Sequence, residues 1–483
     1  MDLLNLKRIT DYEWELPKQE DMIVPGMIYG NTKIIDHLKE DVRLGKDWNA
    51  LKQIANVACM PGIQKCSIAL SDVHPGYGFP IGGVGAFDTE EGVITMGGIG
   101  FDINCSVTTL KTSLKEEDIR KNAKSLLNSL FKIVPAGLGS TGKVRLNFHQ
   151  IDEVLTGGAE WAVENGYGEE KDLEFIEENG KVKEADPENV SEKAKQRQFK
   201  QIGTLGSGNH YVEVQYVAEI YDQEAAEIYG LKEKDVVVSF HCGSRALGHQ
   251  IGTDYLKKLA EVTKKYGIKI KDRELVCAPI NSEEGQKYFS AVCCGINCAF
   301  ANHEVLTHLI RKGFKEVFPD GELPKFYSIG HNTCKKEYHK INGKKKLLYV
   351  HRKGSTRAFG PGREEIPKKY RKIGQPVLVG GTMGTCSFIL CGTEKGMDTT
   401  FGSAIHGAGR AMSRKRAKRQ YRGDKLLKEL ENKGIYVRGH SMAGIAEEAP
   451  GAYKDIVNVV ECMDKSGIAK KVVMLKPIIN VKG

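Results

Sequence analysis

Residues 97–107 read GGIGFDINCSV, which sets a carboxylate, Asp102, and a thiol, Cys105, three positions apart among glycines and apolar side chains. An acid in so apolar a stretch is costly unless a cation or a hydrogen-bond network receives it. Six further stretches place histidine in a similar compact, small-residue context: SDVHPGYGFPIGG (71–83), GTLGSGNHYVEV (203–214), SFHCGSRALGHQIG (239–252), SIGHNTCKKE (328–337), VHRKGSTRAFGPG (350–362) and SAIHGAGR (403–410). One such histidine is ordinarily a satisfied core or surface residue, because imidazole is versatile. Six stretches of one character, in a chain with 13 histidines, point to a site. Asp102, Cys105, His210, His241 and His331 form a candidate metal set, since carboxylate, thiolate and imidazole all bind divalent transition ions. One thiolate can bridge two ions, so a single cysteine suffices for a two-metal site. Magnesium and calcium fit poorly because they prefer oxygen. Zinc and manganese both fit, and spacing does not choose between them. Alone, Cys105 reads as a small buried hydrophobe; beside Asp102 it reads as a ligand.

Cations lie in the same stretches: Arg245, Arg352, Lys353 and Arg410. Arginine offers a planar fork that matches phosphate, and lysine a compact charge. The glycine-flanked amides of GSGN, GGTMG and HGAG can form anion nests. Metal ligands, forks and nests together describe phosphoryl or nucleotidyl transfer, in which positioning and charge neutralisation do most of the work. Three other motifs carry less. GLGSTGKV (137–144) has phosphate-loop spacing, but Val144 stands where magnesium needs Ser or Thr, so an ordinary turn is expected. HEVLTH (303–308) spaces its histidines about 140° apart around a helix, so His303 and His308 are expected as solvent or interface residues. The basic run SRKRAKRQYRGDK (413–425) alone would be solvated surface. It directly follows FGSAIHGAGRAM, and that adjacency favours a functional face.

Candidates so dispersed must be gathered by strand ends. Strand-like runs are SIAL (67–70), GVITM (92–96), VVVSFHC (236–242), LLYVH (347–351), PVLVGG (376–381) and CSFIL (386–390). Helical candidates are 115–132, 216–230, 253–266, 283–312 and 411–434, and KKEYHKINGKKK (335–346) reads as a hairpin turning at Asn-Gly. Strands and helices interleave without a regular βαβ period, which disfavours a doubly wound sheet. One domain over 1–483 is expected, with a charged surface excursion at about 166–200. The net charge of +9 permits a polyanionic partner without demanding one. No apolar run reaches the ~20 residues of a spanning helix. The 12 cysteines lack a C-x-x-C pair and a secretory leader, so reduced thiols in the cytosol or nucleus fit, with the cytoplasm as the expected location.

The segments GYGFPIGG, GGIGFDINC, GSGNH, HCGSRALGHQ, VHRKGSTRAFGPG, FGSAIHGAGRAMSR and EEAPGAYKDI follow one another along essentially the whole chain. With them the sequence closely resembles the RtcB family of RNA-splicing ligases, in its archaeal-type form. The resemblance implies an α/β fold of the family's own type, a central mixed β-sheet core ringed by helices. It implies an enzyme of tRNA splicing and RNA repair that joins 2′,3′-cyclic phosphate or 3′-phosphate ends to 5′-hydroxyl ends. GTP would be co-substrate and two Mn2+ ions the cofactor. A histidine attacks the α-phosphorus of GTP, the GMP passes to the RNA 3′-phosphate, and the 5′-hydroxyl displaces it; a cyclic end is hydrolysed first.

By motif, the guanylylated histidine falls on His406, and Arg410, Lys353 and Asp72 stand in motifs tied to catalysis. Ala408 and Gly409 would hold the guanylate or its phosphates, and Asn209 a phosphate beside the metals. Thr382 keeps a hydroxyl in a nucleotide-binding loop where the family often has serine, and crowds that loop. Guanine and ribose contacts would come from Glu213, Ser387, Tyr453 and Lys482. The metal ligands fall on Asp102, Cys105, His210, His241 and His331, with Cys105 as the bridge. Expected partners are tRNA halves and broken RNAs and an archease-type activating protein, around a monomer free of membrane. Ser106-Val107-Thr108 replaces the family's Gly-Val-Arg, an expected loss of a cation near the metals, and Ala246 replaces a glycine with its special conformations. Neither nucleophile nor ligand is lost, so activity is expected. A metal-dependent phosphoesterase or nucleotidyltransferase is one competing reading, although simple hydrolysis needs neither His406 nor Lys482. A catalytically silent RNA-binding subunit is another, although it needs no carboxylate, thiol and three imidazoles together.

Overall fold

The computed structural model describes residues 1–137 and 139–483. Its strands in chain order are β1 (Lys7–Arg8), β2 (Glu13–Leu16), β3 (Gly26–Tyr29), β4 (Ser67–His74), β5 (Ile81–Asp88), β6 (Val93–Thr95), β7 (Cys105–Lys115), β8 (Tyr211–Ile220), β9 (Asp235–Cys242), β10 (Cys277–Pro279), β11 (Lys325–Ile341), β12 (Lys344–Arg357), β13 (Pro376–Val379), β14 (Ser387–Gly392), β15 (Ser403–Ile405), β16 (Tyr436–Gly439) and β17 (Ala469–Lys482). One large sheet runs β1-β2-β3-β4-β5-β12-β11-β7-β9-β8-β17-β14-β13, with β15 against β12 and β16 against β17. It is mixed: β3–β4 and β16–β17 are parallel, and the other pairs are antiparallel. Helices flank the sheet, as the resemblance implies.

Alternate residues of the central strands enter different cores. Val236, Val238 and Phe240 of β9 pack with Leu126, Leu130, Leu306 and Ile310 of the helices Glu116–Ile133 and Glu283–Lys315. Val237 points the other way, toward Tyr229, Leu378 and Ile389. A strand buried on both faces reads as an unbroken apolar run, hence VVV in its sequence. The helix Glu283–Lys315 is buried nearly all round, which its small residues Ala291, Cys293, Cys294, Gly295, Cys298 and Ala301 permit. Ser282 caps it by accepting from the Gly285 amide. No described helix is long and apolar enough to cross a membrane.

All six strand-like runs are strands, and the hairpin turns at Asn342 and Gly343, both at positive φ, as Asn-Gly favours. Two helical expectations fail. The span 216–230 begins as β8, with a helix only over Gln223–Tyr229, because Tyr216 and Val217 continue the period-two pattern of YVEVQYV. The span 411–434 is two helices, Arg414–Gln420 and Gly423–Asn432, broken at Tyr421 and Arg422, whose backbone is extended. Of the 137–144 stretch, Leu138 lies outside the described residues, and no helix opens before Phe148. His303 is buried and not a solvent residue: it sits on the inner face of the long helix and bonds Thr108 and the Cys242 carbonyl. His308 is half-buried against Tyr167.

Within 166–200, Asp172 and Glu177 are buried and ion-paired, Asp172 to Arg311 and Glu177 to Lys335 and Arg357. Nearby, Glu304 and Lys325 form an ion pair with no solvent access on either side chain. Removing one partner of such a pair strands a charge, at a cost of about 3–5 kcal/mol, whereas replacing both by apolar groups is often neutral. Lys325→Met should therefore lower the thermal midpoint markedly, and Lys325→Met with Glu304→Leu should recover most of the loss, as calorimetry on the three proteins would read.

Candidate active site

Four adjacent strands carry most of the candidate metal set. In the order β11-β7-β9-β8, His331 stands directly across from Cys105, His241 across from Val107, and Tyr211 across from His241. His210 immediately precedes β8, and Asp102 lies in the turn before β7. Period-two alternation puts Cys105 and Val107 on one face, where both line a cleft of about 730 Å³. Ser106 and Thr108 face the other way. Thr108 bonds His303 and Ser328, so its replacement of arginine does not take a cation out of the cleft; this corrects the sequence expectation. Ala246 also needs no glycine conformation, because the left-handed residue there is Arg245, at φ 57°.

The five donors converge. Cys105 Sγ lies 3.0 Å from His241 Nε2 and 3.4 Å from His210 Nε2. His210 Nε2 is 3.1 Å from Asp102 Oδ2, and His241 Nε2 is 3.1 Å from His331 Nε2. They divide into two groups, Asp102–Cys105–His210 and Cys105–His241–His331, that share only the sulfur. Burial opposes the Asp102 charge, but the His210 hydrogen bond and charge outweigh it and hold the carboxyl below the usual carboxylate range. Burial pushes the Cys105 thiol well above its ordinary value, and Asp102 pushes the same way. Burial, reinforced by neighbouring imidazoles, holds His241 and His331 well below the ordinary histidine value, so both are neutral. His241 Nδ1 donates to the Asn209 carbonyl at 3.3 Å, which leaves the Nε2 lone pair facing the sulfur. Asp102 Oδ1 is buried with no hydrogen-bond partner among the described residues. Converging lone pairs and an orphaned carboxylate oxygen fit divalent cations held by mixed O, N and S donors.

His406 stands beside this cluster, its ring centroid 4.6 Å from that of His331. Its Nδ1 lies 2.8 Å from Oδ2 of the fully buried Asp72, which also accepts from the His406 amide. A carboxylate acceptor puts the proton on Nδ1 and leaves Nε2 as the free lone pair. Gly409, at φ 71°, packs on the Asp72 backbone so closely that a Cβ would collide with it. Asn332, left-handed at a β-bulge, ties the two halves together. It donates to the Asp102 carbonyl and accepts from the Gly354 amide, and Gly354 lies against His406.

The cleft is lined by the five metal candidates and by His406, Ala408, Gly409, Arg410, Asn209, Thr382, Tyr453 and Lys482. Arg410 is held by Glu448 and Tyr453 and stacks on the Tyr453 ring. Burial lowers the Lys482 ammonium from its ordinary value. Four candidates do not line the cleft: Asp72, Lys353, Glu213 and Ser387. Lys353 is buried with its ammonium against Gly100, and burial draws it down to about 8 against the pull of Glu274. Glu213 accepts from Asn480 and Gln215, and burial pushes it up to about 7. Ser387 accepts from the Gly381 amide, from behind the lining loop. His74, Phe101, His249, Asn332 and Glu448 stand in the motif stretches without being candidates, and Arg197 stands in the charged 166–200 segment without a distinguishing pattern. All six line the cleft.

Residues 53–483 match the family model described as tRNA-splicing ligase RtcB. The chain is 51% identical to the tRNA-splicing ligase RtcB of Thermococcus kodakarensis over the full length of both. It is 50% identical to that of Archaeoglobus fulgidus and 52% identical to that of Methanococcus maripaludis, each over 99% of both chains.

A cation bound at Cys105 must displace the proton that burial and Asp102 keep on the thiol. Metal affinity should rise with pH across the neutral range, and Cys105→Ala should release about one proton fewer on binding. Titrating the protein with Co2+ in a weakly buffered indicator would read the protons, and the sulfur-to-metal charge-transfer band should vanish in the variant.

Proposed function

The chain belongs to the RtcB family of tRNA-splicing ligases, and on that premise we propose that it is an RNA ligase using GTP and manganese. It joins 3′-phosphate or 2′,3′-cyclic phosphate ends to 5′-hydroxyl ends, chiefly those of tRNA halves. The observation that carries this reading is the Asp72–His406 pair set against the shared-sulfur cluster. Asp102, Cys105 and His210 would hold one Mn2+ ion, and Cys105, His241 and His331 a second. Bound there, the two ions would neutralise phosphate charge and stabilise attacking and leaving oxygens together.

His406 Nε2 attacks the α-phosphorus of GTP: a P–N bond forms, the bond to the bridging oxygen breaks, and pyrophosphate leaves. The proton on Nδ1 stays in place, so the imidazole becomes cationic, and Asp72 balances that charge at 2.8 Å. An oxygen of the RNA 3′-phosphate then takes the GMP and frees His406. The 5′-hydroxyl gives up its proton to solvent and attacks the activated phosphate: a P–O bond forms, the phosphoanhydride bond breaks, and GMP departs. Asn209 and the Ala408–Gly409 amides face the phosphates, while Tyr453, braced by Arg410 and Glu448, and Lys482 face the nucleoside. Ser387 acts by fixing the Gly381 loop, and Glu213, with its raised pKa, receives guanine from behind that wall. Lys353 acts through the Gly100 turn that carries Asp102.

Labelled GTP with Mn2+ should mark the wild type covalently, and His406→Ala should abolish the mark. Asp72→Asn should slow it by roughly 10⁴-fold, the scale seen when an aspartate that sets a catalytic histidine's tautomer is replaced by asparagine. A wild type that takes up no label while retaining bound manganese would contradict this function.

A further inference from the structure

Four residues beyond Arg410, the chain enters the helix Arg414–Gln420, capped by Ser413. The run 413–425 holds seven cations against one acid, Asp424. The helix itself places Arg414, Lys415 and Arg416 in its first turn, where cations oppose the macrodipole. It also stacks like charges four apart, Arg414 with Lys418 and Lys415 with Arg419, a spacing that destabilises a helix. Glu447 compensates Arg414 and Lys418, at 3.2 and 3.1 Å. Lys415, Arg416 and Arg419 are exposed and have no ion-pair partner among the described residues. Local rules broken without internal compensation mark a site whose balance comes from outside. Arg414 lines the cleft and reaches toward Gly208, so the uncompensated cations begin at its mouth and lead outward over about 10 Å.

We propose that this helix is a docking surface for the phosphate backbone of the RNA whose ends are joined, gripping the strand just outside the cleft. The inference rests on the RNA-ligase reading for the nature of the polyanion. It assigns Lys415, Arg416 and Arg419 as phosphate contacts that carry affinity without reading sequence. Because they are exposed and unpaired, their removal leaves the fold intact.

The test compares full-length wild type, Lys415→Gln/Arg416→Gln/Arg419→Gln, and a control of equal charge change, Lys257→Gln/Lys264→Gln/Lys269→Gln. Lys264, an exposed residue of the helix Arg245–Lys265, lies about 20 Å along it from the cleft residue His249. Binding of a 3′-phosphate stem–loop RNA is measured across a salt series, with GTP labelling and ligation in parallel. Each lost phosphate contact removes about 0.7–0.9 from the log–log salt slope, so the helix variant, three contacts short, should lose about 2–3 and bind about tenfold more weakly at moderate salt. Its KM for ligation should rise with the Kd, its kcat should change less than twofold, and its GTP labelling, which needs no RNA, should be unchanged. The control should match the wild type. An unchanged slope and KM, or a control that falls equally, would overturn the proposal, as would lost GTP labelling, which would move the helix into the nucleotide site. A wild type that binds RNA through these residues but takes no label would uphold the surface and sink only the ligase reading.

Discussion

The whole arrangement depends on an electrostatic constraint around one sulfur. A carboxylate, a thiol and three imidazoles occupy a buried pocket with their donor atoms within hydrogen-bonding distance of one another. The pocket's own groups answer burial by keeping the thiol protonated and His241 and His331 neutral. Once the thiol is ionised, lone pairs that converge this way repel unless cations lie among them. Much of the fold maintains that convergence. Register across β11, β7 and β9 fixes His331, Cys105 and His241, and the absence of a Cβ at Gly243 makes room for the Asp102 carboxylate. The two-sided core keeps these strands from shifting, since a one-residue slip would turn these strand-borne donors to the opposite face.

A second layer sets the orientation of the reactive groups. Asp72 fixes which nitrogen of His406 is free, and Asn332 links the turn holding Asp102 to the strand beside His406. Behind the sheet, His303 bridges Thr108 and the carbonyl of Cys242, the residue after His241. A polar group so fully buried is tolerated only when satisfied, and here its bonds tie the long helix to the two strands that carry Cys105 and His241. The threonine at 108 belongs to this packing and not to the cleft.

Much of this was legible in the chain. Apolar β-runs gave every strand they marked, and glycine-flanked histidines gave the cleft, because metal and phosphate chemistry need particular side chains whatever the fold. Depth and direction were not legible. The HEVLTH pattern looked solvent-facing because helical spacing says nothing about which side a sheet covers, and His303 proved to be core. The helical expectation reaches back to Tyr216 because Glu and Ala from 218 onward favour helix, whereas β8 runs on to Ile220 before the helix Gln223–Tyr229 begins. Lys353, Glu213 and Ser387 carry the right chemistry in the right motifs but lie behind the cleft wall, since motif order fixes position along the chain and not side-chain direction. Phe101 and Glu448 stand inside the motifs, but an aromatic and a carboxylate there have no spacing that marks them as lining, and Arg197 lies outside every motif, so only tertiary packing brings it to the cleft.

The central claim is that one sulfur joins two metal sites. Anomalous diffraction from a crystal soaked in Mn2+ tests it directly. Two peaks about 3.5–4 Å apart should flank Cys105 Sγ, one toward Asp102 and His210 and the other toward His241 and His331. A single peak away from the sulfur, or two peaks that do not share it, would contradict the account.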